Sequence, residues 1–382
     1  MKKQDFKMAI GLMSGTSMDG IDAALIESDG LGQSRVISTF SHSYSNDFRN
    51  RLKKSLDLAQ QITDRTARPN GLDTLERDLT LEHVMVVKSL LKKLELKSEL
   101  IDIIGFHGQT ILHRPDEGFT LQLGDGSLLA RETGIDVVYD MRANDMLHKG
   151  QGAPLVPIYH AALAAMQHDY LKFPVAFINI GGISNLTLVQ TADLERDDNI
   201  IAFDCGPGNV LIDQWMAFNN QGHFDKNGQA GLAGKVNQQV LDSIMLDNIY
   251  QQNTKKSLDW RNFKPLTDKT ISLNDGAATL AFLTAKQIFS SFKFLSEKPK
   301  QMVISGGGVK NKAIIKYLQQ LAEPCDINII AADDIGFNSA FIEAEAWGYL
   351  AIRSIKSLPL TYPKTTGCIT AVSGGVFVSA KL

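Results

Sequence analysis

The chain has 382 residues, 44% hydrophobic and 21% charged, a composition typical of globular proteins and unlike that of disordered or fibrous chains. Lys and Arg number 39 against 42 Asp and Glu, and this net charge of -3 without a basic run argues against nucleic acid as a partner. No apolar run approaches the roughly 18 residues of a transmembrane helix, and the amino-terminal apolar stretch is too short for a signal peptide. Three widely separated cysteines form no disulfide or zinc pattern, so the sequence predicts a soluble, cytoplasmic protein.

The first half of the chain opens with a predicted β-hairpin over residues 6–28. Its turn, residues 14–17, combines one glycine with three hydroxyl side chains. A third strand over residues 35–41 and a helix follow. Apolar periodicity then predicts a helix, a strand, a second helix and a second strand, at 72–94, 101–106, 127–133 and 136–140 respectively.

The second half of the chain repeats this order. A hairpin over 174–190, with Gly181 and Gly182 in its turn, precedes a third strand over 199–203 and a helix. The helix, strand, helix and strand that follow are predicted at 277–292, 301–305, 311–321 and 327–331. We therefore interpret the chain as two similar α/β lobes with a nucleotide cleft between them, over residues 1–145, with 360–382 packing back onto that lobe, and 146–359. The segment QGAPLVP at 151–157 is the candidate link.

The two hairpin turns are candidate phosphate-binding loops. Glycine lets a ligand approach the backbone closely, so such a turn can direct N–H and hydroxyl groups at a phosphate. An ordinary β-turn is the alternative for either hairpin alone, but the duplication favours two loops that hold one nucleotide. Gly306, Gly307 and Gly308 follow a strand and are candidates for nucleotide contact, or else for close helix–strand packing. The chain contains neither a Walker A motif nor a dinucleotide fingerprint.

Several polar residues follow predicted strands, where open α/β sheets place their sites. Asp204 is a candidate general base, with helix capping or turn stabilisation as the alternative. Cys205 beside it is interpreted as a structural thiol, because no histidine lies nearby in the sequence. The segments HGQT at 107–110 and DMR at 140–142 are candidates for binding sugar hydroxyls or a carboxylate, or else are surface loops.

Five segments of the sequence together match one known family. They are GLMSGTSMDGIDAALIE near the amino terminus, FHGQTILH at 106–113, QGAPLVP at 151–157, NIGGISNLT at 179–187 and FDCGPGNVLID at 203–213. Through these segments the sequence resembles the anhydro-N-acetylmuramic acid kinase family. It implies two duplicated RNase H-like lobes of the actin-like ATPase class. It also implies an ATP-dependent kinase of peptidoglycan recycling that hydrolytically opens 1,6-anhydro-N-acetylmuramic acid and phosphorylates O6, giving N-acetylmuramic acid 6-phosphate and ADP.

The resemblance also implies site residues. Asp204 matches the catalytic aspartate, and Thr110, Arg142 and Glu343 match sugar-binding positions, to which the DMR segment adds Asp140. ATP and Mg²⁺ are the expected cofactors, although no metal ligand is assigned, since Leu12 and Asn179 occupy the places where related sugar kinases carry an acid. The expected nucleotide contacts are Ser14, Gly15, Thr16, Ser17, Met18, Asp19, Gly20, Ile21, Gly181, Gly182, Gly306, Gly307 and Gly308.

Two other functions stay open at the level of sequence. A simple hexosamine kinase would deprotonate a sugar hydroxyl directly and add no water. A non-catalytic sugar-sensing regulator would keep the lobes without turnover, but usually carries an added DNA-binding module. The expected partners are the amino sugar and ATP, without nucleic acid or membrane, and a homodimer is the candidate assembly.

Overall fold

The computed structural model describes residues 5–194, 196, 198–251, 258 and 260–381. These residues form two compact units. Unit 1 takes in the described residues of Met1–Met166, Asp193–Asp198 and Phe341–Leu382, and unit 2 those of Gln167–Ala192 and Asn199–Ala340. Among the helices of the described ranges, none is long and apolar enough to cross a membrane.

Strands are numbered along the described chain. They are β1 Lys7–Met13, β2 Gly20–Ser28, β3 Ser34–Ser43, β4 Ile103–Phe106, β5 Gln109–Arg114, β6 Phe119–Leu123, β7 Val137–Tyr139, β8 Val175–Ile180, β9 Ile183–Val189, β10 Ile200–Pro207, β11 Gln301–Ser305, β12 Asn328–Ala331 and β13 Val376–Val378.

Helices are numbered in the same way. They are α1 Asn46–Ala59, α2 Leu72–Lys93, α3 Gly126–Thr133, α4 Ala143–Leu147, α5 Pro157–Met166, α6 Val210–Phe218, α7 Gln229–Ala233, α8 Gln238–Met245, α9 Asn248–Gln251, α10 Leu273–Ser290, α11 Lys312–Ala322, α12 Ile342–Ile355 and α13 Pro363–Thr366.

The sheet of unit 1 has the strand order β13-β7-β4-β1-β2-β3. β1 pairs antiparallel with β2 and parallel with β4, and β4 continues parallel to β7. Such parallel pairs place the carboxyl ends of β1, β4 and β7 at one edge. Side chains that follow these strands are thereby gathered on that edge.

Helix α12 covers the sheet of unit 1 through unusually close backbone contact. A Cβ on Gly11 of β1 would lie 1.8 Å from the carbonyl oxygen of Ala344, and a Cβ on Gly105 of β4 would lie 2.0 Å from that of Trp347. Only glycine fits at such positions. The two glycines therefore bring the amino-terminal half of α12, with Glu343, close to the sheet.

Unit 2 repeats the topology of unit 1. Its sheet has the order β10-β9-β8-β11-β12, with β8 antiparallel to β9 and parallel to β11, as β1 is to β2 and β4. Each unit has its own apolar core, which includes Ile10 and Leu12 in unit 1 and Ile178 and Trp215 in unit 2. The predicted duplication of the chain into two α/β halves of similar topology is confirmed.

The predicted strands and helices of both halves are confirmed, with ends shifted by a few residues. The sequence did not predict the β5–β6 hairpin, nor α5 and α12. Gln109, at the start of β5, is fully buried, so the surface-loop alternative for the HGQT segment is wrong at this residue.

Candidate functional site

The first glycine turn, residues 14–20, runs from the end of β1 into the start of β2, and it exposes some of its side chains while it buries others. Thr16, Ser17 and Asp19 are exposed, and a Cβ on Gly15 would meet only Ser17 Oγ, 3.7 Å away. Met18 adopts a left-handed backbone with φ of 53° and buries its side chain. The exposed part of the turn is thus open to a ligand.

Ser14, in contrast, turns its hydroxyl into the interior of unit 1. Its Oγ lies 2.7 Å from Gln109 Oε1, 2.9 Å from the Tyr44 hydroxyl and 3.2 Å from the Gly20 carbonyl oxygen. Gln109 Nε2 also donates to the carbonyl oxygen of Gly15, 3.1 Å away. The Ser14 hydroxyl therefore holds the turn in shape and does not face the open side.

A chain of hydrogen bonds connects the turn to Arg142. Arg142 Nη2 lies 3.0 Å from His107 Nε2, and His107 Nδ1 lies 3.1 Å from the Ser14 carbonyl oxygen. Since a guanidinium only donates, Nε2 is the acceptor and Nδ1 carries the proton that reaches Ser14. Burial, with Arg142 adding to it, holds the pKa of His107 well below its usual value, which keeps this neutral tautomer.

Arg142 and Glu343, both predicted sugar-binding residues, influence each other in the same part of unit 1. Burial lowers the pKa of Arg142 to about 10, and Glu343 acts in the opposite direction. Burial raises the pKa of Glu343, which Arg142 counteracts and Asp22 reinforces. Arg142 also donates to the Gly152 carbonyl oxygen at 2.8 Å and lies over the Trp347 ring. The structure therefore gathers a fixed cation and two carboxylates near the turn.

Thr110 and Asp140 lie on the neighbouring elements. Gln122 Nε2 donates to Thr110 Oγ1 across the β5–β6 hairpin at 3.1 Å. Asp140 comes directly after β7 and lines a cavity of about 220 Å³, together with His107 and Tyr139. Asp140 thus lines a partly open cavity within unit 1.

Asp204 lies near the end of β10 in unit 2. Its Oδ2 accepts a hydrogen bond from the Leu258 backbone N–H at 2.7 Å, and it lines a small cavity of about 50 Å³ with Tyr250 and Lys293. Burial raises the pKa of Asp204 to about 6, although the Leu258 bond acts in the opposite direction. Such a carboxylate is ionised at neutral pH yet basic enough to accept a proton.

The Cys205 thiol next to it is suited to packing. Burial raises its pKa to about 12, and Ser291 Oγ lies 3.4 Å from its sulfur. A thiol with so high a pKa carries almost no thiolate at neutral pH, which removes a cysteine nucleophile from consideration.

The glycines of unit 2 fall into two kinds. A Cβ would meet nothing within 4 Å at Gly182 and Gly307, and only the Ile183 carbonyl oxygen, at 3.4 Å, at Gly181. At Gly306 and Gly308 it would lie 2.2 Å from atoms of β8, which matches the packing alternative. The backbone is therefore open at Gly182 and Gly307, and nearly so at Gly181.

Two contacts within these sites could not be predicted from the sequence, the burial of Gln109 and the pairing of Arg65 with Asp140. Gln109 lies inside the HGQT motif, and its burial was hidden because the β5–β6 hairpin was not predicted. Arg65, whose guanidinium reaches Asp140, lies far from it in the sequence and carries no local signal.

The chain is a two-unit α/β protein of duplicated topology, with polar residues gathered at the ends of its strands. A sequence model of the anhydro-N-acetylmuramic acid kinase family matches residues 7–380. A Brucella suis protein named anhydro-N-acetylmuramic acid kinase is 52% identical over 372 residues, 97% of this chain and 98% of its own length. An Agrobacterium fabrum protein of the same name is 48% identical over 376 residues, 98% of this chain and 100% of its own length. The chain belongs to the anhydro-N-acetylmuramic acid kinase family.

A solved structure of a ROK family glucokinase from Streptomyces griseus, in complex with glucose and AMPPNP, aligns with 90% of this chain and 99% of that chain. The TM-score is 0.43 and the sequence identity 12%. The predicted family and the predicted kinase activity are confirmed by the family match and the two relatives. The roles of the individual residues stay predictions.

Proposed function

We propose that this kinase adds water across the 1,6-anhydro ring of anhydro-N-acetylmuramic acid and transfers the γ-phosphoryl group of ATP to O6. Water forms the new bond to the anomeric carbon, O6 leaves that carbon and takes the phosphoryl group, and the products are N-acetylmuramic acid 6-phosphate and ADP. Membership of the family supports the choice of substrate. The observation that supports the mechanism is the buried carboxylate of Asp204, which has a raised pKa and a hydrogen bond to the Leu258 backbone N–H.

Asp204 is the proposed base that takes the proton from the attacking water. With a pKa of about 6 it is mostly ionised at neutral pH, while its Leu258 hydrogen bond fixes one oxygen and leaves the other to act. A base of this kind need not form a covalent bond, since phosphoryl transfer depends mainly on positioning and on charge neutralisation.

The residues gathered in unit 1 are proposed to bind the sugar. Arg142 offers a charged, donor-only group to the lactyl carboxylate, while Glu343, Thr110 and Asp140 can bind hydroxyl or amide groups. Arg142 is already fixed by His107, by Gly152 and by its contact with Trp347, so little side-chain entropy is lost on binding.

The exposed part of the turn at residues 15–20 and the open backbone of Gly182 and Gly307 are proposed to bind the nucleotide phosphates and the nucleoside. Mg²⁺ fits this arrangement, because it takes one or two carboxylates and otherwise binds phosphate and water oxygens. Asp19 and Asp22, the carboxylates beside the turn, are the residues proposed to hold it, and the ion would neutralise phosphate charge. Among the described residues, no group of three or more His, Cys, Asp or Glu forms a metal site by itself.

A cytoplasmic location and a role in recycling of cell-wall sugars belong to the same proposal. Both follow from the need for ATP and from the anhydro sugar, which is a fragment of peptidoglycan.

The test is a coupled ADP-release assay with purified anhydro-N-acetylmuramic acid, with the product identified by mass spectrometry. We expect ADP release that depends on the sugar, and a product that gains one water and one phosphoryl group. Phosphorylation of N-acetylglucosamine without turnover of the anhydro sugar would instead identify a simple hexosamine kinase. Sugar binding without any ADP release would identify a sensor.

A further inference from the structure

The cavity within unit 1 has one wall to which the proposed function gives no role. The cavity is bounded by residues at the carboxyl ends of β4, β6 and β7 and directly after them. On the remaining side it is bounded by the segment between α1 and α2, which contributes Arg65 and Arg68. Asp140, from the end of β7, is the proposed sugar ligand in this cavity. Arg65 is its ion-pair partner.

Asp140 has a backbone conformation that L-residues seldom adopt. Its φ is 51°, in the left-handed region. Such a conformation costs free energy and persists where the surroundings hold it, often at a ligand site. The position at the carboxyl edge of the sheet, directly after β7, also favours a role in ligand binding.

Arg65 holds the Asp140 side chain from a fixed base. Its Nη2 lies 2.5 Å from Asp140 Oδ1, and its Nε donates to the Thr120 carbonyl oxygen of β6 at 2.7 Å. Two contacts from one planar guanidinium define the orientation of that plane. The carboxylate of Asp140 is therefore oriented by a group that is itself anchored to a different strand.

The segment that carries Arg65 is anchored in turn. Arg68 Nη1 donates to the Arg65 carbonyl oxygen at 2.7 Å, and the Arg68 guanidinium pairs with both oxygens of Glu76 on α2, at 2.8 and 2.9 Å. Glu76 also accepts the Gly124 backbone N–H at 3.0 Å. The segment is thus attached both to α2 and to the end of β6.

We propose that Arg65 is a positioning residue for sugar binding, which acts by orienting Asp140 so that its second oxygen, Oδ2, accepts a hydrogen bond from a hydroxyl or amide group of the sugar. This inference rests on the proposed function. Arg65 does not touch the sugar itself. Loss of the guanidinium leaves Asp140 free to rotate, and the sugar loses an oriented acceptor while the chemistry at the anomeric carbon is unaffected.

Steady-state kinetics of Arg65→Ala, Asp140→Ala and the double variant test this inference. Each single variant should raise KM for the anhydro sugar about tenfold, with kcat changed by less than about threefold, because the lost contact is made equally in ground and transition states. KM for ATP should change by less than about twofold on the same reasoning. Since Arg65 acts through Asp140, the double variant should be no worse than the worse single variant.

Arg51→Ala is the matched control. Arg51 pairs with Asp78 at 2.6 Å, but neither residue lines the cavity. This variant should keep the sugar KM of the unaltered enzyme. Arg65→Lys replaces Arg65→Ala in the cycle if the alanine variant does not fold, because an ammonium can reach only one of the two partners.

Three results would overturn the inference. An unchanged sugar KM in Arg65→Ala removes the positioning role while the proposed function stands. Additive effects in the double variant show that Arg65 makes a contact with the sugar of its own. Absence of turnover by the unaltered enzyme removes the proposed function and this inference with it.

Discussion

At the scale of single residues, Asp204 is the group on which the proposed chemistry depends. Asparagine keeps the shape of the side chain and can still accept the Leu258 hydrogen bond, but it cannot take a proton. We expect Asp204→Asn to lower kcat about a hundredfold or more, the usual contribution of a general base, with ATP affinity unchanged. Calorimetry measures the ATP affinity of the variant, and an ADP-release assay measures its kcat. Near-normal turnover in the variant removes Asp204 from the mechanism.

The pKa of the same residue predicts a pH profile. Because the base acts only when it is deprotonated, kcat/KM should fall as the pH drops through about 6, the pKa to which burial raises Asp204 in the free enzyme. Burial also raises the pKa of Asp213 in unit 2 to about 7, which makes Asp213→Asn a matched control. The acidic limb near pH 6 should persist in that variant. A flat profile between pH 5 and 7 contradicts the assignment.

Removal of the hydroxyl should have different effects at Ser14 and at Thr16 in the first turn. Ser14→Ala leaves Gln109 Oε1 without its buried partner, so we expect a loss of about 1–3 kcal/mol in the free energy of unfolding. Thr16 is exposed, and Thr16→Ala should raise KM for ATP with little effect on stability. Urea unfolding and ATP kinetics on both variants separate the roles. If Ser14→Ala keeps the stability of the unaltered enzyme but binds ATP more weakly, the Ser14 hydroxyl contacts the ATP phosphates and has no structural role.

At the scale of elements, alanine substitutions at two adjacent glycines after β11, Gly306 and Gly307, should have opposite effects on stability and on nucleotide binding. Gly306 has φ of 81°, and a Cβ there would lie 2.2 Å from Asn179 Oδ1 and 2.9 Å from the Ile180 carbonyl oxygen. Gly306→Ala should therefore cost about 2 kcal/mol or more in stability. Gly307→Ala meets nothing within 4 Å and should fold normally, but it should weaken nucleotide binding. Thermal unfolding and nucleotide titration of the two variants check this contrast, and equal stability of both contradicts it.

The elements that sequence predicted well are those with a local signal. Both hairpins have apolar strands on either side of a glycine turn, and α2 has apolar residues at helical spacing, so their order fixed the duplicated α/β class. The β5–β6 hairpin lacked such a signal. Its first strand, β5, ends in His113 and Arg114, and the connection to β6 contains Pro115, so the segment did not show the alternation of a strand pair.

The site was less predictable, because its geometry arises from contacts between distant segments. The motifs gave Asp204, Arg142 and the turn at 14–20 as candidates. The burial of the Ser14 hydroxyl depends on Gln109, 95 residues away, and the orientation of Asp140 depends on Arg65, 75 residues away. Residues so far apart in the sequence cannot be paired from the periodicity of a single helix or strand. Only the folded chain shows which polar side chains are exposed and which are held by other residues.

At the scale of the whole molecule, buried groups of opposite kind give opposing pH dependences of stability within unit 1. His83 on α2 is fully buried, and burial lowers its pKa from 6.5 to about 4. Glu345 on α12 accepts a hydrogen bond from Tyr159 at 2.9 Å, and burial raises its pKa from 4.5 to about 7. Between about pH 4 and 6.5, His83 is neutral in the folded chain but protonated in the unfolded chain. Between pH 4.5 and about 7, Glu345 is protonated in the folded chain but ionised in the unfolded chain.

The sign of each contribution follows from linkage. The unfolded chain binds the extra proton at His83, so its contribution to the free energy of unfolding is complete above pH 6.5 and is lost as the pH falls toward about 4. The folded chain binds the extra proton at Glu345, so that contribution is complete below pH 4.5 and is lost as the pH rises toward about 7. Each residue changes the free energy of unfolding by about 3 kcal/mol over its pH range. Because the two changes have opposite sign, the pH dependence that they give together in the unaltered protein is small.

Removing one group at a time should therefore reveal two slopes of opposite sign. Relative to the unaltered protein, His83→Phe should gain stability as the pH is lowered from 6.5 to about 4, because the buried imidazole no longer has to stay neutral. Glu345→Gln should gain stability as the pH is raised from 4.5 to about 7, because no carboxyl then has to keep its proton. Urea unfolding of each variant across this pH range measures both slopes. Parallel curves for either variant and the unaltered protein would show that the group has the same proton affinity in the folded and unfolded chains.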